Sequence, residues 1–242
     1  MTALDDLCRI PFHDADGPAR ARILSRLADT ELAVALAADP AGDRVDLRIF
    51  DLPGGRFALA ADEESRLAGF LGEPVAYAAL PGRVLAAMLR AEGVGLLVNP
   101  AAPSEMLLDP ATLSWLESAL AAVPVADDAR PDTGPPRPDT AAALARPLGE
   151  RLADMRGLIA GAALAGAGAG HVLLIAGADP AHQPAIAKAL AETLAFLPPQ
   201  PGGVDIGFAD TPPPLGALVF DLSPPPAPAP APPKPKGPPI LR

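Results

Sequence analysis

The stretch Val45-Asp46-Leu47-Arg48-Ile49-Phe50-Asp51-Leu52-Pro53-Gly54-Gly55-Arg56-Phe57-Ala58-Leu59-Ala60-Ala61 decides the fold class. Val45, Leu47 and Ile49 alternate with Asp46 and Arg48, the period of a strand with one wet face. Leu52-Pro53-Gly54-Gly55 supplies turn chemistry, and Phe57, Leu59 and Ala61 predict a second, half-buried strand. A hairpin at this point breaks any strict alternation of strand and helix.

Helices and strands follow on either side. Pro18 opens a helix with Ile23, Leu24 and Leu27 inward and Arg20, Arg22 and Arg26 toward water, and residues 31–37 read as a buried strand. Asp62 is placed to cap the next helix, with Glu63 and Glu64 favourable near its positive end and Gly72 as its stop. A strand over 75–80, a helix over 81–92 ending at Gly93, short strands over 94–99 and 105–108, and a helix opened by Asp109-Pro110 complete this part. The order reads as α+β.

A second unit follows a stretch rich in Pro, Asp and Gly. It opens with a helix bearing Leu144, Leu148, Leu152 and Met155, kinked or begun near Pro147. Then come a hairpin of 158–164 with 172–176, a helix from Asp179-Pro180 and strands over 204–208 and 217–222, with helices on one side of a small sheet. The expected organisation is a leader over 1–17, an α+β domain over 18–122, a Pro/Asp-rich linker over 123–139, a second α+β domain over 140–222, and a disordered Pro/Ala-rich tail over 223–242.

Composition narrows the function classes. Half of the 242 residues are apolar, enough for packed cores, yet only 4% are aromatic. The formal charge of −10 resides in residues 1–128, which hold 10 Arg against 20 acidic residues, while 129–242 balance 9 against 9. An acidic surface with few rings repels phosphate backbones and offers little stacking, so nucleic acid is excluded as a partner. Cys8 is the single cysteine, so no intramolecular disulfide or cysteine-rich metal site forms, and a reducing cytoplasm fits. Residues 1–12 carry Asp5 and Asp6 and lack the basic start and apolar run of a signal peptide. Residues 157–178 are uncharged and long enough to span a bilayer, but Gly166-Ala167-Gly168-Ala169-Gly170 and His171 interrupt them, so a glycine-rich turn between strands is expected and no membrane partner.

His13, His171 and His182 have no helix-spaced partner of the zinc-binding kind; His13-Asp14-Ala15-Asp16 reads as an exposed turn, and His171, Asp179 and His182 together fall short of a ligand set. The glycine-rich stretch lacks the Gly-Lys-Ser/Thr of a phosphate loop. Ser25, Ser65, Ser104, Ser114, Ser118 and Ser223 sit in no Gly-x-Ser-x-Gly elbow, and acidic neighbours raise the Cys8 pKa. No catalytic, cofactor-binding or metal residues are therefore expected. The tail, with Lys234 and Lys236, reads as a spacer, with recognition by an aromatic-lined groove as the alternative.

Leu80-Pro81-Gly82-Arg83-Val84-Leu85, then Gly93-Val94-Gly95-Leu96-Leu97-Val98-Asn99-Pro100, Glu105-Met106-Leu107-Leu108-Asp109-Pro110 and Trp115-Leu116 resemble the N-terminal domain of the SseB family, as does Leu27-Ala28-Asp29-Thr30-Glu31-Leu32. Members usually carry Gly after this Asn-Pro, and Ala101 here leads us to expect a different turn. The second domain is more loosely similar to the family's C-terminal domain. The resemblance implies a bacterial, cytoplasmic protein named for enhanced serine sensitivity, with no enzymatic residues to carry over. Two expectations follow: a non-enzymatic protein that binds another protein, or a regulator that binds a small metabolite of serine or sulfur amino-acid metabolism. An unrecognised enzyme stands third.

Overall fold

A computed structural model of the chain describes residues 1–39, 45–124 and 132–223. The first domain comprises α1 (Ala3–Leu7), α2 (Gly17–Asp29), β1 (Glu31–Ala35), β2 (Ile49–Leu52), β3 (Gly55–Ala61), α3 (Glu64–Leu71), β4 (Tyr77–Pro81), α4 (Gly82–Ala91), β5 (Gly95–Val98), β6 (Met106–Leu108) and α5 (Pro110–Leu120). The second comprises β7 (Thr133–Gly134), α6 (Pro138–Asp154), β8 (Gly161–Ala167), β9 (Gly170–Ala176), α7 (Gln183–Ala195), β10 (Val204–Phe208) and β11 (Leu218–Phe220). The chain is thus α+β with two mixed sheets in tandem.

The hairpin forms, with Ile49 opposite Ala58 and Leu52 opposite Gly55. Its first strand differs from expectation: the ladder begins at Ile49, and Leu47 makes only an isolated bridge to Leu36. Its second strand is not half-buried. β3 is buried from Phe57 to Ala61 because it lies inside the order β4-β1-β3-β5-β6. On one face Ala58 and Ala60 join Leu32, Val34, Leu96, Met106 and helical side chains of α2, α4 and α5. On the other, Leu59 and Ala61 meet Leu67 of α3. Small alanines at the centre let helices approach both faces, and each buried leucine removes apolar area worth about 2 kcal/mol.

Residues 1–17 differ from expectation. They are no free leader: Leu4, Cys8 and Phe12 are 1%, 3% and 5% exposed and belong to the first core. Thr2 and Asp5 form a reciprocal capping box on α1, and the Arg20 side chain donates to the carbonyls of Phe12 (3.1 Å) and His13 (2.6 Å). The physical cause is the apolar spacing Leu4, Cys8, Phe12, which outweighs the acidic residues between.

Ala101 behaves otherwise than expected. It has φ +61° and Asn99 has φ +48°, so the turn keeps a left-handed shape at an alanine. Left-handed backbone costs an L-residue about 1–2 kcal/mol, and the Ala101 amide holds the geometry by donating to Glu105 Oε2 at 2.6 Å. Ala101→Gly should therefore raise stability by a few tenths to about 1 kcal/mol, the relief being partly offset by the greater unfolded-state freedom of glycine. Urea denaturation of the two proteins measures it.

In the second domain the sheet order is β10-β9-β8-β11, with β7 added on β8. Leu144, Leu148 and Leu152 of α6 and Ile186 and Leu190 of α7 pack on one face, as expected. Because β10 and β11 are opposite edges, residues 209–217 carry the chain across the width of the sheet, with Pro212, Pro213 and Pro214 favouring an extended path. The glycine-rich stretch is the hairpin turn: Ala167 pairs with Gly170, and a Cβ on Gly170 would strike the backbone of Gly202. The proposed linker is partly structured, since Thr133–Gly134 pairs with β8 and α6 starts at Pro138, running through Pro147 without ending. Its remainder at 125–131, and the tail at 224–242 with Lys234 and Lys236, lie outside the described residues.

The two domains are docked. Phe196, at the end of α7, is 4% exposed within the first domain's core and meets Trp115 edge-on at 5.6 Å between ring centroids. Lys188 Nζ donates to the carbonyls of Leu120 (2.5 Å) and Ala122 (3.1 Å), satisfying orphan groups at the end of α5. Arg83 pairs with Asp29 and Glu192, and Arg151 reaches Asp29 at 3.0 Å.

Candidate functional site

The most concentrated polar chemistry in the described residues lies between α1, α3 and the turn after β5. Arg66 of α3 donates to both oxygens of Asp5, at 3.0 and 2.5 Å. Ser104 donates to Asp5 Oδ1 at 2.6 Å and accepts from Asn99 Nδ2 at 2.9 Å. Asn99 Oδ1 in turn accepts from the Asp62 amide at 2.9 Å. Asn99 and Ser104 are fully buried, and the Asp5 and Asp62 side chains are 2% and 3% exposed. The network ties α1 to α3 and to the turn after β5.

The Arg66 hydrogen bonds hold the Asp5 carboxyl well below the usual carboxylate range; burial opposes this, and Ser104 and the Thr2 amide add to it. Asp5 likewise raises Arg66. A carboxyl whose folded pKa is depressed binds fewer protons folded than unfolded, so its contribution is fully present above the unfolded value near 4 and drains away as pH falls through the folded value. Acid titration should show stability falling by about 1.4 kcal/mol per pH unit below pH 4 from this group, and Asp5→Asn should flatten that part of the slope. Chemical denaturation at stepped pH reads it.

Asp62 departs from its expected role. Glu63 is the N-cap of α3 and makes no side-chain cap, while Asp62 turns inward. Arg66 Nη1 lies 3.3 Å from its Oδ1, yet neither Asp62 oxygen accepts a hydrogen bond. Asp62 also lines a cleft of about 340 Å³ with Arg26, Asp29, Thr30, Glu31 and Glu63 and the start of α1. A larger hollow of about 590 Å³ lies between residues 156–161 and 219–223, with Arg156 Nε donating to the Leu222 carbonyl at 3.2 Å. It contains no comparable unpaired carboxylate.

The residues weighed from sequence are held apart, each in its own setting. Cys8 is buried, and desolvation followed by the charge of Asp5 pushes its thiol up. His13 Nε2 accepts from the Leu107 amide at 3.3 Å. His171 is 1% exposed on β9, its Nε2 accepting from the Arg137 amide at 3.3 Å while Nδ1 has no partner. His182 sits at the N-cap of α7, and the Asp179 carboxylate accepts from the Ala181 amide at 2.8 Å. Among the described residues no three His, Cys, Asp or Glu are grouped to hold a metal ion, and no helix is long and apolar enough to cross a membrane. Of the serines only Ser104 enters the network, and sequence reading singled out neither Asp5 with Arg66 nor Asn99.

Architecture and site define a tandem α+β protein whose first sheet is closed by a buried carboxylate–guanidinium network. Residues 12–115 match the family described as SseB protein N-terminal domain. The second domain lies beyond that match. No curated protein and no solved structure matches the chain.

Proposed function

We propose that this chain is an SseB-family, non-enzymatic, cytoplasmic binding protein whose partner is another protein. The observation that carries the reading is Trp115: the residue is 45% exposed, yet its ring packs edge-on against buried Phe196 where the two domains meet. A large, pre-ordered aromatic at such a place loses little entropy on binding and is the residue type that dominates interface energy. The reactive side chains support it further, because Ser104, His13 and His171 already spend hydrogen bonds on the fold. Affinity capture with the full chain should return one protein in stoichiometric amount, and Trp115→Ala should lose it with the fold intact. Recovery of the chain alone, or undiminished capture by the variant, counts against this reading.

The cleft beside Asp62 favours a second reading, a small-metabolite-binding regulator linked to serine or sulfur amino-acid metabolism. Its volume sits at the small end of ligand sites. Thermal shift across amino acids, serine first, tests it, since a ligand stabilises the state it binds.

A further inference from the structure

We propose that the cleft between α1, α2 and α3 binds a small organic primary ammonium, with Asp62 accepting its N–H bonds. The proposal rests on the small-metabolite reading and adds the chemical class of the ligand. Four carboxylates, Asp29, Glu31, Asp62 and Glu63, and one guanidinium, Arg26, line the cleft. Charge alone would not make a site; the state of Asp62 does. Its side chain is 3% exposed and neither oxygen accepts a hydrogen bond. Buried carboxylates are costly without donors, and nearly all of them have donors.

The neighbouring cation does not fill this need. Arg66 spends its hydrogen bonds on Asp5, at 3.0 and 2.5 Å, and on Ser104 at 3.4 Å, leaving Asp62 only a 3.3 Å ion-pair contact. Asp29 is occupied by Arg83 and by Arg151, and Glu63 is 3.5 Å from Arg66 Nε. Asp62 is therefore the buried carboxylate of the cleft with acceptor capacity to spare, while Glu31 is exposed to solvent. The missing component is a compact positive donor. A metal ion fits poorly, because no three carboxylate or imidazole groups among the described residues are grouped to hold one, whereas hard cations take six or more oxygens. An ammonium carries three donors on one atom and needs no such shell. The Asp62 oxygens are closed to water, so entry takes a displacement of the side chains around them.

Two probes of equal charge separate hydrogen bonding from screening: methylammonium and tetramethylammonium, titrated into the full ¹⁵N-labelled chain. Methylammonium should shift the amides of Thr30, Glu31, Asp62 and Glu63 saturably, tetramethylammonium should not, and Asp62→Asn should weaken the response at least tenfold. Equal shifts from both cations, no saturable shift, or unchanged binding by Asp62→Asn overturns the proposal. Should Asp62→Asn fail to fold, the exposed pair Glu31→Gln and Glu63→Gln should weaken methylammonium two- to fivefold, and no change overturns it. An amino acid that binds Asp62→Asn undiminished would preserve the metabolite reading and end this one, so the two fail separately.

Discussion

Arg66→Ala lowers the free energy of unfolding by about 3–5 kcal/mol, the loss expected when one partner is taken from a buried ion pair. The Arg66 side chain is 17% exposed, but the carboxylates it serves are nearly sealed, Asp5 at 2% and Asp62 at 3%. Removing the guanidinium leaves two negative charges inside the protein with Ser104, the Thr2 amide and little else to offset them. The effect reaches beyond the pair, because Asp5 caps α1 and α1 carries Leu4 into the core. Arg66→Lys should fall between, since an ammonium cannot reproduce the two parallel bonds to Asp5. Guanidinium denaturation with the m-value compared across the three proteins gives the answer. A loss below about 1 kcal/mol for Arg66→Ala would mean the pair behaves as a surface one and that α1 is held by its apolar side chains alone.

How much of this was legible in the sequence depends on the range of the interaction. The β2–β3 hairpin, the helix opened by Asp109-Pro110 and the hairpin around Gly168 were readable because turn residues and apolar period act over a few positions. The double burial of β3 was not, because Phe57 to Ala61 shows the same alternation whether one face or both are covered, and the cover on the second face is Leu67, supplied by a separate helix. The 1–17 stretch was misread because its acidic residues suggested solvent, whereas Asp5 is neutralised by a residue 61 positions away. Asp62 was misread for the opposite reason: an Asp ahead of a helix is a good local cap, and tertiary placement beside Arg66 overrode it. The cleft unites α1, α2 and the start of α3, so no single motif could announce it.

Phe196→Ala should cost about 3–5 kcal/mol and separate the unfolding of the two domains. Phe196 belongs by sequence to the helix of the second domain but by packing to the core of the first, among the side chains of α4 and α5. Most of what else joins the domains is charged: Arg22 with Glu150 at 33% and 48%, Arg151 with Asp29 at 24% and 34%, and Arg83 with the nearly buried Glu192. The exposed pairs contribute about 0–1 kcal/mol each, so they orient the domains more than they hold them. Lys188 over the end of α5 adds a cap and little apolar area. The phenyl ring is then the main cohesive contact, and deleting it removes the transfer energy of the ring and leaves a cavity under Trp115. Domains in tandem couple only as strongly as their interface. Calorimetry should resolve one transition into two, and Trp115 fluorescence, quenched or shifted by the loss of its partner, should follow the lower one. Glu192→Gln serves as the charge control: it weakens the Arg83 contact but should leave a single transition. If Phe196→Ala still unfolds in one step with unaltered Trp115 emission, the charged contacts hold the domains after all, and the interface is electrostatic.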